Sequence, residues 1–320
     1  ADCAEALIEL NIGLCLETAA EPVHSSEPSE ACAEACTHYL RSATLDGSTA
    51  RVFLLWEAAA QRDASHHSHE ARLAAVAKVH RAGVDAGVWA LPEQRPERLI
   101  PGLIASAWHD PLQHAACRTL EREYPMIRAE ALALLQQDPE QHHFTSYTSK
   151  ALAAGDWCDV GLYYNAMRNS VHSQRAPCTS ALLCGDEAGF RRDCTSCSLG
   201  SAYFSLLRPH TRLAAHCGPT NARLRAHLGI VVPEGDCEII VGGESRRWAE
   251  GKVLLFDDSF EHAVHNETDE PRLVLIVDMW HPQLTTDEQR THAMQDDEQR
   301  ERYRQVIERS YYKPTVLRGH

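Results

Sequence analysis

The sequence predicts an α+β chain, helical over its first part and built as an antiparallel β-sandwich or barrel from about Ser201 onward. Three observations carry this. Apolar residues recur at helical spacing through the first 92 residues. After Ser201 the texture changes to short β-rich segments separated by Gly, Pro, Asn and Asp. The chain has 320 residues and 44% hydrophobic content, ample for one large domain with a helical appendage.

In chain order, "ADCAEALIELNIGLCLE" places Ala4, Leu7, Ile8, Ile12 and Leu14 at roughly helical spacing. "SEACAEACTHYLRSA" follows Pro28, a helix-entry signal. "TARVFLLWEAAAQR" and "EARLAAVAKVHRAGVDAG" come next, the second closed by Gly87. Helices joined by short polar links predict antiparallel hairpins over residues 1–91, a degenerate TPR-like array. "LPEQRPERLIPGL" at 91–103 is a Pro-rich boundary. Two helical stretches are expected over 108–137, with Pro125 starting or kinking the second. A loop then leads to "GDWCDVGLYYN". The expected strands are "AYFSLLRP", "ARLRAHLGIVVP", "CEIIVG", "RRWAEG", "KVLLFDD", "EHAVHN" and "PRLVLIVDMW". A charged tail from Thr285 reads as helical in "DEQRERYRQVIERSYY". The chain thus divides into 1–91, 92–284 and 285–320.

The formal net charge is −14, from 45 acidic and 31 basic residues, which argues against DNA, RNA or anionic lipid as partners. No apolar run of about 18 residues exists to span a membrane. The chain opens at Ala1 with no Met and no signal-peptide pattern, so a processed or partial chain is expected. Of twelve cysteines, Cys178, Cys184, Cys194 and Cys197 share one loop-like stretch, and only "CTSC" has the form of a zinc-ligand pair. Disulfides in an oxidising lumen, or buried thiols, are the expectation over zinc. Asn266-Glu267-Thr268 is a glycosylation sequon, relevant only on a secretory route. "SHHSHE" at 65–70 and "EQHH" at 140–143 read as solvated loops rather than metal sites.

The chemistry gathers around "HCGPTNARLRAHLGIVVPEG", residues 216–235. A non-haem iron site usually takes two histidines and a carboxylate, often spelled His-x-Asp or His-x-Glu. Here His216 is followed by Cys217 and then Gly218, which has no side chain to offer. Along the next strand Arg223, Arg225 and His227 share one face and Leu224, Ala226 and Leu228 the other. That pattern, running into "LGIVVP", predicts an anion-lined interior rather than a solvent face. His216 and His262 fall at the mouths of strands where they can meet at one metal. Arg272, ten residues after His262, is placed to clamp the far end of a dicarboxylate.

"HCGPTNARLRAHLGIVVP", "W-x-x-GKVLLFDDSFEHAVHN" and "RLVLIVDMWHP" closely resemble the aspartyl/asparaginyl β-hydroxylases, iron(II)- and 2-oxoglutarate-dependent oxygenases. The resemblance extends upstream through "QRPERLIPGL", "WHDPLQHAACRTLEREYPMIRAEALAL" and "GDWCDVGLYYN", covering about residues 92–284. It implies a double-stranded β-helix (jelly-roll) core with flanking helices, and Fe(II), 2-oxoglutarate and O₂ as cofactors. It further implies a variant triad: His216 and His262 ligate the metal and Gly218 leaves a coordination position open, with Asp257, Asp258 and Glu261 as nearby acids. Arg272 and Ser205 would hold the distal carboxylate of 2-oxoglutarate. His227 and Arg225 would sit between cosubstrate and substrate, Arg225 gripping the target Asp or Asn and Arg223 the substrate chain.

Departures from the family are Asp159, where a Gln tends to contact substrate, Leu207 in place of a Met, and the cysteine loop at 178–197. The implied reaction is hydroxylation of the β-carbon of Asp or Asn in polypeptides, specifically EGF-like domains, with Asp bound better than Asn, in an ER or secretory lumen. The alternatives are the same chemistry on a small-molecule or lipid acyl substrate, and a non-catalytic binding module.

Overall fold

The computed structural model describes residues 2–20, 30–45, 50–63, 68–141, 143–146, 149, 151–185, 189–294, 297–301 and 304–305. Two compact units divide between Leu99 and Ile100, inside the Pro-rich stretch. In the first, α1 (Asp2–Ala20), α2 (Glu30–Leu45), α3 (Ala50–Arg62) and α4 (His69–Asp85) each pack on the next. Tyr39, Phe53, Trp56, Val79 and Trp89 form their shared core. Ser68 caps α4 through its hydroxyl, and Gly87 turns the chain out of it at φ 73°. Residues 92–99 stay with this unit, since the Trp89 indole donates to the Pro96 carbonyl and Arg95 pairs with Glu57.

The second unit is a double-stranded β-helix. Its larger sheet runs β1 (Trp108–His109), β11 (Val253–Phe256), β8 (Arg223–Val231), β13 (Arg272–Trp280), β6 (Ser201–Leu207), β4 (Trp157–Tyr164), β2 (Thr145–Ser146), with β5 (Met167–Arg168) also on β4. Its smaller sheet runs β10 (Glu244–Arg246), β9 (Cys237–Val241), β12 (His262–Asn266), β7 (Thr211–His216), β3 (Leu152–Ala154). Every ladder in both sheets is antiparallel, and most neighbours are not consecutive in the chain, as two wound sheets require. Strand alternation explains the layers. On β13, Leu273, Leu275, Val277 and Met279 pack with α5 (Ala115–Arg122), α6 (Tyr124–Gln141) and α8 (Pro177–Cys184). Val274 and Ile276 face the smaller sheet, meeting Leu213, Ile239, Val241 and Val264.

Several expectations change here. The helical stretch expected from residue 108 opens instead with β1, which pairs with β11; Pro125 does start α6. "TRLAAH" forms β7, which was not expected, and "RRWAEG" is mostly a turn crossing β8 rather than a strand. Gly229 makes that crossing possible: a Cβ there would lie 2.3 Å from the Ala249 carbonyl oxygen. Cys178, Cys184, Cys194 and Cys197 are unpaired thiols, Cys194 and Cys197 fully buried. Of "SHHSHE" and "EQHH", residues 65–67 and 142 lie outside the described residues, and His143 is buried. After Thr285, α9 (Asp287–His292) is held to the barrel unit by Arg290, which reaches the Leu284 and Arg192 carbonyls and Asp193. The helical tail is described only at 297–301 and 304–305.

The Asn266 sequon is not a usable glycan site. Asn266 is fully buried, its amide donates toward the Leu207, Arg208 and Glu270 carbonyls, and its oxygen accepts from Thr268. Asn266→Ala strands these groups and is expected to destabilise the fold by about 1–3 kcal/mol. Thermal unfolding checks this, with about 2–4 °C lost per kcal/mol in a unit of this size.

Candidate active site

His216 ends β7 and His262 begins β12, and the two are direct cross-strand partners. Strict alternation would turn His216 away from Leu213, because the two are three residues apart. A β-bulge corrects this: Leu213 pairs with Val264 and His216 with His262, so Ala214 and Ala215 together oppose Ala263. Both imidazoles therefore enter one pocket, with ring centroids 4.2 Å apart. The His216 Nδ1 lies 2.8 Å from the Ala214 carbonyl oxygen and the His262 Nδ1 2.9 Å from that of Phe260. Each carbonyl can only accept, so each Nδ1 carries the hydrogen and each Nε2 keeps its lone pair. Burial lowers the His216 pKa; burial and then the neighbouring His216 lower that of His262 to about 3. Both rings are neutral at pH 7, the form in which imidazole binds a metal.

The pocket is lined by these histidines, Arg225, His227, Arg272, Ser205 and a mainly apolar wall that includes Trp157, Phe256 and Ile276. A larger cleft beside His114 and Arg290 contains none of the candidate residues. Arg272 is 2% exposed, and its Nε and Nη1 have no hydrogen-bond partner among the described residues. Burial lowers its pKa to about 10, and its guanidinium lies 4.8 Å from the Trp248 ring centroid. A buried cation lacking a protein anion is the clearest sign of an anionic ligand in this pocket. Ser205 and His227 stand on the strands flanking β13 and face the same interior. Trp248, on the turn that Gly229 admits, donates its indole N–H to His227 Nδ1 at 3.3 Å. Trp157 donates to Ser205 Oγ at 3.0 Å. Neither tryptophan was singled out in the sequence, although "W-x-x-GK" contains the first.

The arginines on β8 are placed differently from the expectation. Arg223 does not line the pocket: it is buried and binds Asp258 at 2.7 Å and the Leu199 carbonyl. It is therefore a structural cation rather than a surface for the substrate chain. Arg225 does line the pocket but is paired in a bidentate fashion with Asp278, at 2.7 and 2.9 Å, and lies 3.3 Å from Asp258. Two buried arginines thus balance two buried aspartates. Burial opposes the ionised form of Asp258, but Arg223 and Arg225 outweigh it and hold the carboxyl well below the usual range.

Asp258 also explains Gly218. A Cβ at 218 would lie 2.6 Å from the Asp258 carboxylate carbon, and the Gly218 N–H donates to the Asp258 carbonyl. The space a triad carboxylate would need is already filled. None of Asp257, Asp258 and Glu261 lines the pocket, and Asp257 instead caps its own turn through the Ser259 N–H.

Asp159 lies opposite Ser205 on β4, beside the pocket rather than in its lining. It accepts from the Tyr164 hydroxyl at 2.9 Å, and burial raises its pKa. Leu207 is buried opposite Arg272. Asp236, Glu238 and His265 form a separate carboxylate–imidazole group. His265 alternates with His262 and Val264 on β12, so this group faces outward, away from the histidine pair.

Residues 121–282 match the family described as Aspartyl/Asparaginyl beta-hydroxylase. The chain is 38% identical over 215 residues to the aspartyl/asparaginyl beta-hydroxylase of Mus musculus, covering 66% of this chain and 28% of that protein. It is 38% identical over 223 residues to the aspartate beta-hydroxylase domain-containing protein 1 of Mus musculus, covering 66% of this chain and 60% of that protein. The chain thus spans less than two thirds of these relatives. A prolyl-4-hydroxylase structure from Pseudomonas putida is 13% identical and covers 49% of this chain and 86% of its own, with a TM-score of 0.32, too low to bear on function. The family match takes in half the chain and runs through every strand that lines the pocket: the chain belongs to the aspartyl/asparaginyl β-hydroxylase family.

Proposed function

We propose that this protein is an iron(II)- and 2-oxoglutarate-dependent oxygenase that hydroxylates the β-carbon of Asp or Asn residues in polypeptides, with EGF-like domains as the specific substrate class. One observation carries the reading. A single pocket holds two neutral histidines presenting Nε2 and, apart from them, a buried arginine without a protein anion. That arrangement suits a ligand that chelates a metal at one end and carries a carboxylate at the other.

His216 and His262 would hold the metal, and Arg272 and Ser205 the far carboxylate; His227, which the resemblance places between cosubstrate and substrate, would join them, since Trp248 contacts both it and Arg272. When bound, iron and 2-oxoglutarate would together activate O₂, one oxygen atom leaving in succinate as CO₂ is released and the other replacing hydrogen at an unactivated C–H bond as hydroxyl. The chain contributes positioning and dryness: Trp157, Phe256, Ile239, Val264 and Ile276 keep the pocket wall apolar. Arg225 would orient the target side chain, but Asp278 and Asp258 already offset its charge. The preference for Asp over Asn expected of a free cation should therefore shrink to a small factor.

The test is mass spectrometry of Asp- and Asn-containing, disulfide-constrained peptides after incubation with Fe(II), 2-oxoglutarate and O₂, with succinate followed in parallel. One added oxygen at the target residue and peptide-stimulated succinate are expected. Oxidation of free aspartate or a fatty-acyl substrate, with no peptide modified, would overturn the substrate; no succinate under any condition would overturn the chemistry.

A further inference from the structure

We propose that Trp248 and, to a lesser degree, Trp157 are specificity-determining residues that make the Arg272 end of the pocket rich in donors, so that it takes a carboxylate in preference to the isosteric carboxamide. The inference rests on the reading above, in which this end receives the far carboxylate of 2-oxoglutarate. A serine hydroxyl both donates and accepts, and a neutral imidazole can exchange tautomers, so neither is by itself selective for an anion. Here an indole, a group that only donates, commits the imidazole, and a second indole takes one of the two acceptor directions of the hydroxyl. Trp248 Nε1–H points at His227 Nδ1, so Nδ1 must be the acceptor and the hydrogen must sit on Nε2. That Nε2 is buried and has no protein partner. Trp157 Nε1–H occupies an acceptor direction of Ser205 Oγ, which turns the hydroxyl hydrogen away from it. Arg272 has only donors to offer, with Nε and Nη1 unpartnered. Arg272 and His227 therefore present only hydrogens to this end, and Ser205 has one hydrogen and one remaining lone pair to offer. A carboxylate can accept from all of them, whereas a carboxamide sets its own NH₂ against a donor.

Trp248 has a second role that substitution can separate from the first. Its ring lies over the Arg272 guanidinium at 4.8 Å, and Trp248→Phe keeps an aromatic face there while removing the N–H. The experiment compares binding of 2-oxoglutarate and its ω-amide to the Mn(II)-loaded full chain by calorimetry, in wild type, Trp248→Phe and Trp157→Phe. Wild type should bind the amide far more weakly than the acid. Trp248→Phe should narrow that ratio on the order of 10-fold, the scale of one mismatched buried hydrogen bond, and Trp157→Phe by a smaller factor. Nitrogen-15 NMR of the metal-free protein gives a reading independent of any ligand: His227 should be protonated at Nε2 in wild type and show mixed tautomers in Trp248→Phe. Should Trp157→Phe fail to fold, Ser205→Ala replaces it and should lower affinity for the acid without changing the His227 tautomer. An unchanged acid-to-amide ratio in variants that still bind 2-oxoglutarate, or a wild-type His227 protonated at Nδ1, overturns the proposal. If wild type binds neither ligand while His227 is protonated at Nε2, the failure lies with the 2-oxoglutarate reading, and the proposed selection for a carboxylate falls with it.

Discussion

Arg272→Met should abolish 2-oxoglutarate binding and, at the same time, stabilise the ligand-free protein. Both signs follow from one fact: the guanidinium is buried and no carboxylate faces it. With ligand bound, it is half of a buried, charge-assisted pair, and removing one partner of such a pair typically costs about 3–5 kcal/mol, several hundred-fold or more in affinity. Without ligand, the burial that pulls its pKa down to about 10 destabilises the charged form in the folded state. That penalty is present in full at pH 7 and fades only as pH rises through about 10 toward the unfolded value. Methionine fills similar space without the charge, so the apo variant should gain about 1–3 kcal/mol. Calorimetry with 2-oxoglutarate measures the first effect and thermal unfolding without it the second. Retained 2-oxoglutarate affinity would show that a different cation is the clamp. A loss of apo stability would show that Arg272 has a structural partner.

The second large effect is at the metal. His262→Ala removes one of the two nitrogens proposed to hold the metal and should lower Mn(II) or Fe(II) affinity by more than about 100-fold, since changes one step removed from a metal already cost 10–100-fold. Turnover should vanish with it. His265→Ala is the matched control, on the same strand but facing outward with Asp236 and Glu238. It should leave metal binding at the pocket unchanged. If His265→Ala lost the metal and His262→Ala kept it, the metal would belong to the outward-facing group.

The pattern of residues was most readable where it was regular. The alternation of Arg223, Arg225 and His227 against Leu224, Ala226 and Leu228 matched β8, because that strand is buried on both faces and paired on both edges. Arg272 was legible as a cation opening an otherwise apolar strand. Irregular backbone was not legible. β7 escaped notice because its bulge puts Leu213 and His216 on one face at a spacing of three, which matches neither strand nor helix periodicity. Nor do sequence patterns show partners: Asp258 and Asp278 lie 35 and 53 residues from the arginines they pair with. Arg223 therefore looked available for substrate when it is not. Asn266 looked like a surface sequon because nothing local reveals that three distant and nearby carbonyls surround its amide.

The bulge in β7 also bears on how a site with so few protein ligands can work. Because His216 and His262 are opposed by ladder register, and each ring is tied back to a carbonyl two residues away, the pair is assembled before any ion arrives. An incoming ion does not have to freeze two independent side chains, so the chelate advantage is supplied by backbone geometry and little rotamer entropy is lost on binding. At the proposed site a third protein ligand would then be less needed to offset the ordering of the other two, and the remaining coordination positions would stay open to small molecules that come and go with each turnover.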